Sequence, residues 1–111
     1  MPADSSYVDA EQASSWGLLR EALRPAALAP FTTAVLGALR EHDRRTGSEL
    51  VPTLRCYLDA GGNLETAARE LGMHRNTVRT RLRTAERVSR RRLDRPRDRL
   101  ESWLALSAED L

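Results

Sequence analysis

With 111 residues, 41% of them hydrophobic and only 5% aromatic, the sequence suffices for one small domain with a core of Leu, Ala and Val. That composition suits helices better than sheets. The formal net charge is +2, all 18 basic residues are arginine, and the single cysteine, Cys56, excludes an intramolecular disulfide. No apolar run approaches the roughly eighteen residues of a membrane span, no Cys/His cluster has metal-ligand spacing, and the N-terminal "MPADSSYVDAEQASS" is polar and acidic, unlike a secretory leader. A cytoplasmic protein without metal or cofactor is expected.

Residues 1–14 lack periodicity and are expected to form a disordered tail. A first helix, capped by Ser14 or Ser15, runs through "WGLLREAL" toward Arg24 and Pro25, with Trp16, Leu19 and Leu23 on one face. The run "RPAALAP" reads as a short connection or a weak helical turn, so residues 15–30 make an N-terminal helix and connection. Pro30 suits the first position of the next helix, "PFTTAVLGALREHDRR", with Phe31, Val35 and Leu39 on one face and Leu36 beside them. Thr46-Gly47-Ser48 is expected to end that helix and cap the next. There Val51, Leu54, Tyr57 and Leu58 recur at helical spacing, and Pro52 falls in the first turn. Gly61-Gly62 closes the helix, because the position after a helix commonly needs positive φ.

Asn63 is a good N-cap for "LETAAREL", residues 64–71. Gly72 breaks that helix, and a longer one follows from about Arg75 to Ser89. Asp94 can cap a final helix from about Pro96 to Leu106, with Leu100, Trp103, Leu104 and Leu106 as core candidates. No strand and no repeat is legible. The chain reads as all-α, a small bundle of about six short helices.

Two helices joined by a short turn containing glycine form a helix-turn-helix. Ala67 and Ala68 permit the close crossing of the pair, and Met73 supplies an apolar plug in the turn. Counting about 100° per residue from Val78, Leu82 and Ala85 share its face. Asn76, Thr80, Arg83 and Arg87 fall on the opposite face, Arg79 on its flank, and Arg81 on the inward flank. Charge concentrates here: His74 to Arg92 holds eight arginines and one acid, Glu86, a local charge of +7, whereas residues 1–46 sum to −1. A basic patch confined to one segment points to a polyanionic partner.

Amide, hydroxyl and guanidinium are the groups that read base edges in a DNA major groove. The start of a recognition helix reaches deepest, so Arg75, Asn76, Thr77 and Thr80 are the first candidate base readers, with Arg79 and Arg83 next. Arg81, Arg87, Arg90 and Arg91 are better placed for phosphate, Arg81 alternatively for an intramolecular acid. Asn63, at the start of the preceding helix, and His74, which could also cap the recognition helix, complete the phosphate candidates. Calmodulin-target and membrane-surface helices are also basic and amphipathic. They lack the preceding "NLETAARELGMH" and need a bulkier apolar face than Val78, Leu82, Ala85 and Val88.

The stretch "ELVPTLRCYLDAGGNLETAARELGMHRNTVRTRLRTAERV", followed by "LDRPRDRLESWLAL", resembles the C-terminal DNA-binding domain of PucR-type bacterial regulators, a group that includes CdaR-like sugar-diacid regulators. The similarity covers roughly Phe31 to Leu106, and residues 31–107 are therefore expected to be a PucR-type helix-turn-helix domain. A shorter part looks like the helix-turn-helix of Fis-type nucleoid proteins. The resemblance implies that His74 and Arg75 start the recognition helix, with Thr77, Arg79 and Thr80 on its DNA-facing side. Only about 30 residues precede it, fewer than a sensory domain needs, so no small-molecule effector site is recognisable. Thr80 stands where such proteins often carry an aromatic, and "SRRRL" replaces a more usual glycine-containing turn.

The other reactive side chains have plainer readings. Cys56 lies among apolar helix positions without a His/Asn arrangement, and no phosphate-cradling loop or nucleophile elbow is present. His42 reads as a surface residue, and Asp94 and Asp98 as helix-start residues. An enzyme is not expected. The expected function is a sequence-specific, double-stranded-DNA-binding transcriptional regulator, nucleoid-associated and homodimeric, because one recognition helix buries little surface. The alternatives are a nonspecific nucleoid or RNA-binding module, or a protein-interaction module using the basic helix.

Overall fold

A computed structural model describes residues 15–109. Six α-helices occupy the described residues: α1 (Ser15–Ala22), α2 (Pro25–Thr46), α3 (Leu50–Asp59), α4 (Leu64–Leu71), α5 (Arg75–Ser89) and α6 (Pro96–Ala108); no strand occurs among these residues. The all-α expectation holds. The expected tail and the Ser14 cap lie outside the described residues.

The connection expected over "RPAALAP" is helical instead, and Pro30 lies inside α2 rather than at its start. Pro25 takes the first position, where a missing N–H does no harm. Ala26, Ala27 and Ala29 are strong helix formers, and Leu28 is anchored by burial. Pro30 sits close to the N-terminus, so its lost N–H removes only one backbone bond.

α2 ends at Gly47, which adopts the left-handed conformation at φ 73°. Ser48 does not cap α3. Asp43, one turn back in α2, does so across the corner: its two carboxylate oxygens accept from the N–H groups of Leu50 and Val51 at 2.9 and 3.0 Å. Two otherwise orphaned donors are thereby satisfied and the angle between α2 and α3 is fixed. Gly61 and Gly62 follow α3 with φ 68° and 79°, and the Gly62 N–H returns to the Tyr57 carbonyl at 2.9 Å.

Val35, Leu36 and Leu39 of α2 form the centre of the core, against which α3, α5 and α6 pack. Leu50, Leu54 and Leu58 extend it through α3, and α4 closes it by packing on α3 and α5. Phe31, Val51, Tyr57 and Trp103 are half-buried at its edge. α1 packs on no other helix among the described residues. Its Leu19, expected on an apolar face, is 39% exposed. In α6 the buried residues are Ser102, Ala105 and Leu106, whereas Leu100, expected in the core, is 56% exposed. No helix of the described residues is long and apolar enough to cross a membrane.

Candidate nucleic-acid interface

α4 begins at Asn63, whose Oδ1 accepts from the Thr66 N–H at 3.0 Å, and ends at Gly72 in the left-handed conformation, φ 66°. The Met73 N–H returns to the Ala68 carbonyl at 3.0 Å, closing the turn. His74 then caps α5: its Nδ1 accepts from the Asn76 N–H at 3.1 Å. An accepting Nδ1 carries no proton, so the ring's N–H is at Nε2 and is directed away from the cap. Ala67 and Ala68 are buried where α4 and α5 cross, as are Val78, Leu82 and Ala85 beneath α5. Within the helix-turn-helix, every apolar position expected to turn inward does so, apart from Met73 and Val88, which are half-buried.

The opposite face is solvent-exposed at Asn76, Thr80, Arg83 and Arg87, and Arg75 and Thr77 in the first turn of α5 are exposed as well. Several of these groups are held by neighbours. The Arg75 Nη1 lies 2.8 Å from Glu65 Oε1 of α4; that hydrogen bond, together with the arginine charge, holds the Glu65 carboxyl below the usual carboxylate range. The half-buried Arg79 donates from Nη1 to Asn76 Oδ1 at 2.9 Å, linking two candidate readers one turn apart.

The phosphate candidates divide. Arg87 and Arg90 are exposed. Arg81 pairs with Glu49 at 3.4 Å, in keeping with its inward flank. Arg91 is turned into the protein, its Nη2 3.8 Å from Glu101 of α6 and its Nη1 donating to the Ser89 carbonyl at 3.3 Å. The structure therefore does not bring Arg91 to the face of the others. Glu49, Glu65 and Glu101 escape a sequence reading because they lie far along the chain, Glu49 at the cap position of α3, Glu65 at the start of α4 and Glu101 in α6.

The turn after α5 is built by acids. Glu86 Oε2 accepts from the Leu93 N–H at 2.8 Å, and Asp98 Oδ2 accepts from the Arg92 N–H at 2.9 Å. Asp94 does not cap α6; it pairs with Arg92 at 3.1 Å, and Arg95 at the cap position makes no side-chain cap bond. Arg90 closes α5 at φ 58°, the one non-glycine residue with positive φ among those described. Cys56 is half-buried, with Sγ 3.4 Å from Glu70 Oε2. Burial, reinforced by Glu70, pushes its thiol pKa up, the opposite of an activated nucleophile.

Fold and turn together define a helix-turn-helix protein of the DNA-binding class. The family model of the PucR C-terminal helix-turn-helix domain matches residues 50–108, and the chain belongs to that family. The family is a DNA-binding module rather than a catalytic one. Over 73 residues the chain is 40% identical to an uncharacterized protein from the pkwA 5′ region of Thermomonospora curvata, covering 66% of this chain and 40% of that protein. Over 52 residues it is 46% identical to uncharacterized proteins of Mycobacterium bovis and Mycobacterium tuberculosis, covering 47% of this chain and 13% of each. The chain thus matches well under half the length of these relatives. No solved structure matches it.

Proposed function

We infer that this chain is a sequence-specific regulator of transcription that lays α5, residues 75–89, in the major groove of double-stranded DNA. The supporting observation is the two-sided α5: a buried Val78–Leu82–Ala85 stripe fixes its orientation and leaves an outer face of arginine, asparagine and threonine in water. Arg75, Asn76, Thr77 and Thr80 are the first base readers, and Arg79 and Arg83 follow on the flank and middle of the helix. His74 Nε2–H, Arg87 and Arg90 contact phosphate, as does Asn63 through the part of its amide not used in capping. Arg81 and Arg91 can do so only by leaving Glu49 and Glu101. One module of this size buries too little surface for tight specific binding, so two copies present two helices about one duplex turn apart.

Selection of duplexes from a random pool at about 150 mM salt tests the reading. A recovered motif arranged as an inverted repeat is expected. Binding without enrichment would show a nonspecific, charge-driven module instead, and no binding would remove DNA as the partner.

A further inference from the structure

A cleft of about 510 Å³ opens beside α5, bounded by the end of α3, the start of α4 and the turn into α6. Four arginines wall it: Arg79 and Arg83 from the flank of α5, Arg92 from the turn and Arg99 from α6. Of the two acids in its wall, Asp94 pairs with Arg92, and Glu86 accepts the Leu93 N–H with one oxygen and keeps its charge, so the arginines still outnumber the acids. Arg83 and Arg99 have no acid within ion-pair distance among the described residues, and Arg79 spends one N–H on the neutral Asn76 amide.

Arg99 is placed by the fold. Its guanidinium carbon lies over the Tyr57 ring, 5.9 Å from the centroid. It also occupies the space that a Cβ at Gly62 would fill, so any other residue at that position would displace it. A guanidinium held between a ring and a glycine, without a counter-ion, is prepared for an anion.

Resting on the proposed function, we propose that this cleft binds the DNA sugar–phosphate backbone at the edge of the major groove, with Arg99 as the phosphate ligand supplied by the C-terminal helix; Arg92, paired with Asp94, can join it only by leaving that acid. Continuity with α5 favours DNA over a small diffusible anion. Arg79 and Arg83 belong both to the cleft wall and to the proposed reading face, so a duplex on α5 must pass the cleft, which is open rather than enclosed. The helix-turn-helix thereby gains a backbone anchor from outside its two helices, and Tyr57 and Gly62 act as positioning residues for Arg99.

The test is the salt dependence of binding to one short duplex of fixed sequence, for the full chain, Arg99→Gln and Gly62→Ala. The slope of log affinity against log salt is expected to fall by about 0.9 in Arg99→Gln, because one phosphate is no longer neutralised, with the preferred sequence unchanged. In Gly62→Ala the slope should fall in the same direction while the Asn63 cap keeps α4 helical by circular dichroism. Ethylation interference on the unaltered chain should mark a backbone phosphate beyond those facing α5, and the mark should vanish in Arg99→Gln. The footprint on the unaltered chain is independent of how well either variant folds. Equal slopes, or no additional ethylation mark, would overturn the cleft while leaving α5 as the DNA reader. Failure of the unaltered chain to bind duplex would overturn both.

Discussion

Gly72 and Arg90 close consecutive helices, α4 and α5, in the same left-handed conformation, at φ 66° and 58°. One has no side chain and the other has a long cationic one. A side chain in this region costs about 1–2 kcal/mol relative to glycine. At Gly72 nothing lies within 4 Å of an added Cβ, so the requirement there is one of backbone alone. At Arg90 the strain is tolerated, and the surrounding bonds to Glu86 and Asp98 hold the turn. The contrast teaches that the turn inside the helix-turn-helix is set for the crossing of two helices. The turn after it retains positive charge at the expense of local stability, which suits the proposed contact of Arg90 with phosphate.

Substitutions at both turns can break that contrast. Gly72→Val should destabilise most, by about 2 kcal/mol or more in chemical denaturation, since a β-branched residue is poorly tolerated at positive φ. Arg90→Gly should do the reverse, raising stability by about 1 kcal/mol. It should also flatten the salt dependence of DNA binding by about one phosphate. A loss of stability in Arg90→Gly would show that the arginine side chain, not the turn bonds, holds the end of α5.

Asn63→Ala extends the comparison to the start of α4. Loss of the cap to Thr66 should cost about 1 kcal/mol of folding stability, measured by thermal melting. Smaller still is the effect of Glu65→Gln. Glu65 and Arg75 are both largely exposed, and such pairs add little to stability, so melting should be unchanged. The lowered Glu65 pKa means that any stabilisation from the pair is present above the ordinary glutamate range and is lost as pH falls through the folded value. With Arg75 released and one acid removed, affinity for any duplex should rise modestly, and an unchanged affinity would show that the pair persists on DNA.

The parts of the molecule legible in the sequence are those governed by near neighbours. Asn63 capping three residues ahead, Gly72 redirecting the chain, and the Val78–Leu82–Ala85 stripe all follow from local rules. What escaped depends on residues brought together by the fold or on a balance of competing preferences. Pro30 signals a helix start, yet Pro25 and the alanines place the start more than a turn earlier. Asp43 caps α3 from a preceding helix, displacing Ser48, and Asp94, the local candidate to cap α6, pairs with Arg92 instead while Asp98 and Glu86 build the turn before it. Leu100 fits an apolar pattern but faces solvent, because α6 meets α2 through Ala105 and Leu106. The guanidinium of Arg99 over Tyr57 and Gly62 joins residues about 40 positions apart, which no local spacing encodes.

The central claim is that the outer face of α5 distinguishes sequences. It is tested most directly by the affinity of Arg75→Ala and Asn76→Ala for the selected site and for a scrambled duplex of equal length, at one salt concentration. Each variant should lose about 1–3 kcal/mol on the selected site and little on the scrambled one, with folding stability unchanged. Equal losses on both duplexes would contradict the claim and leave α5 as a charge-bearing helix without a reading role.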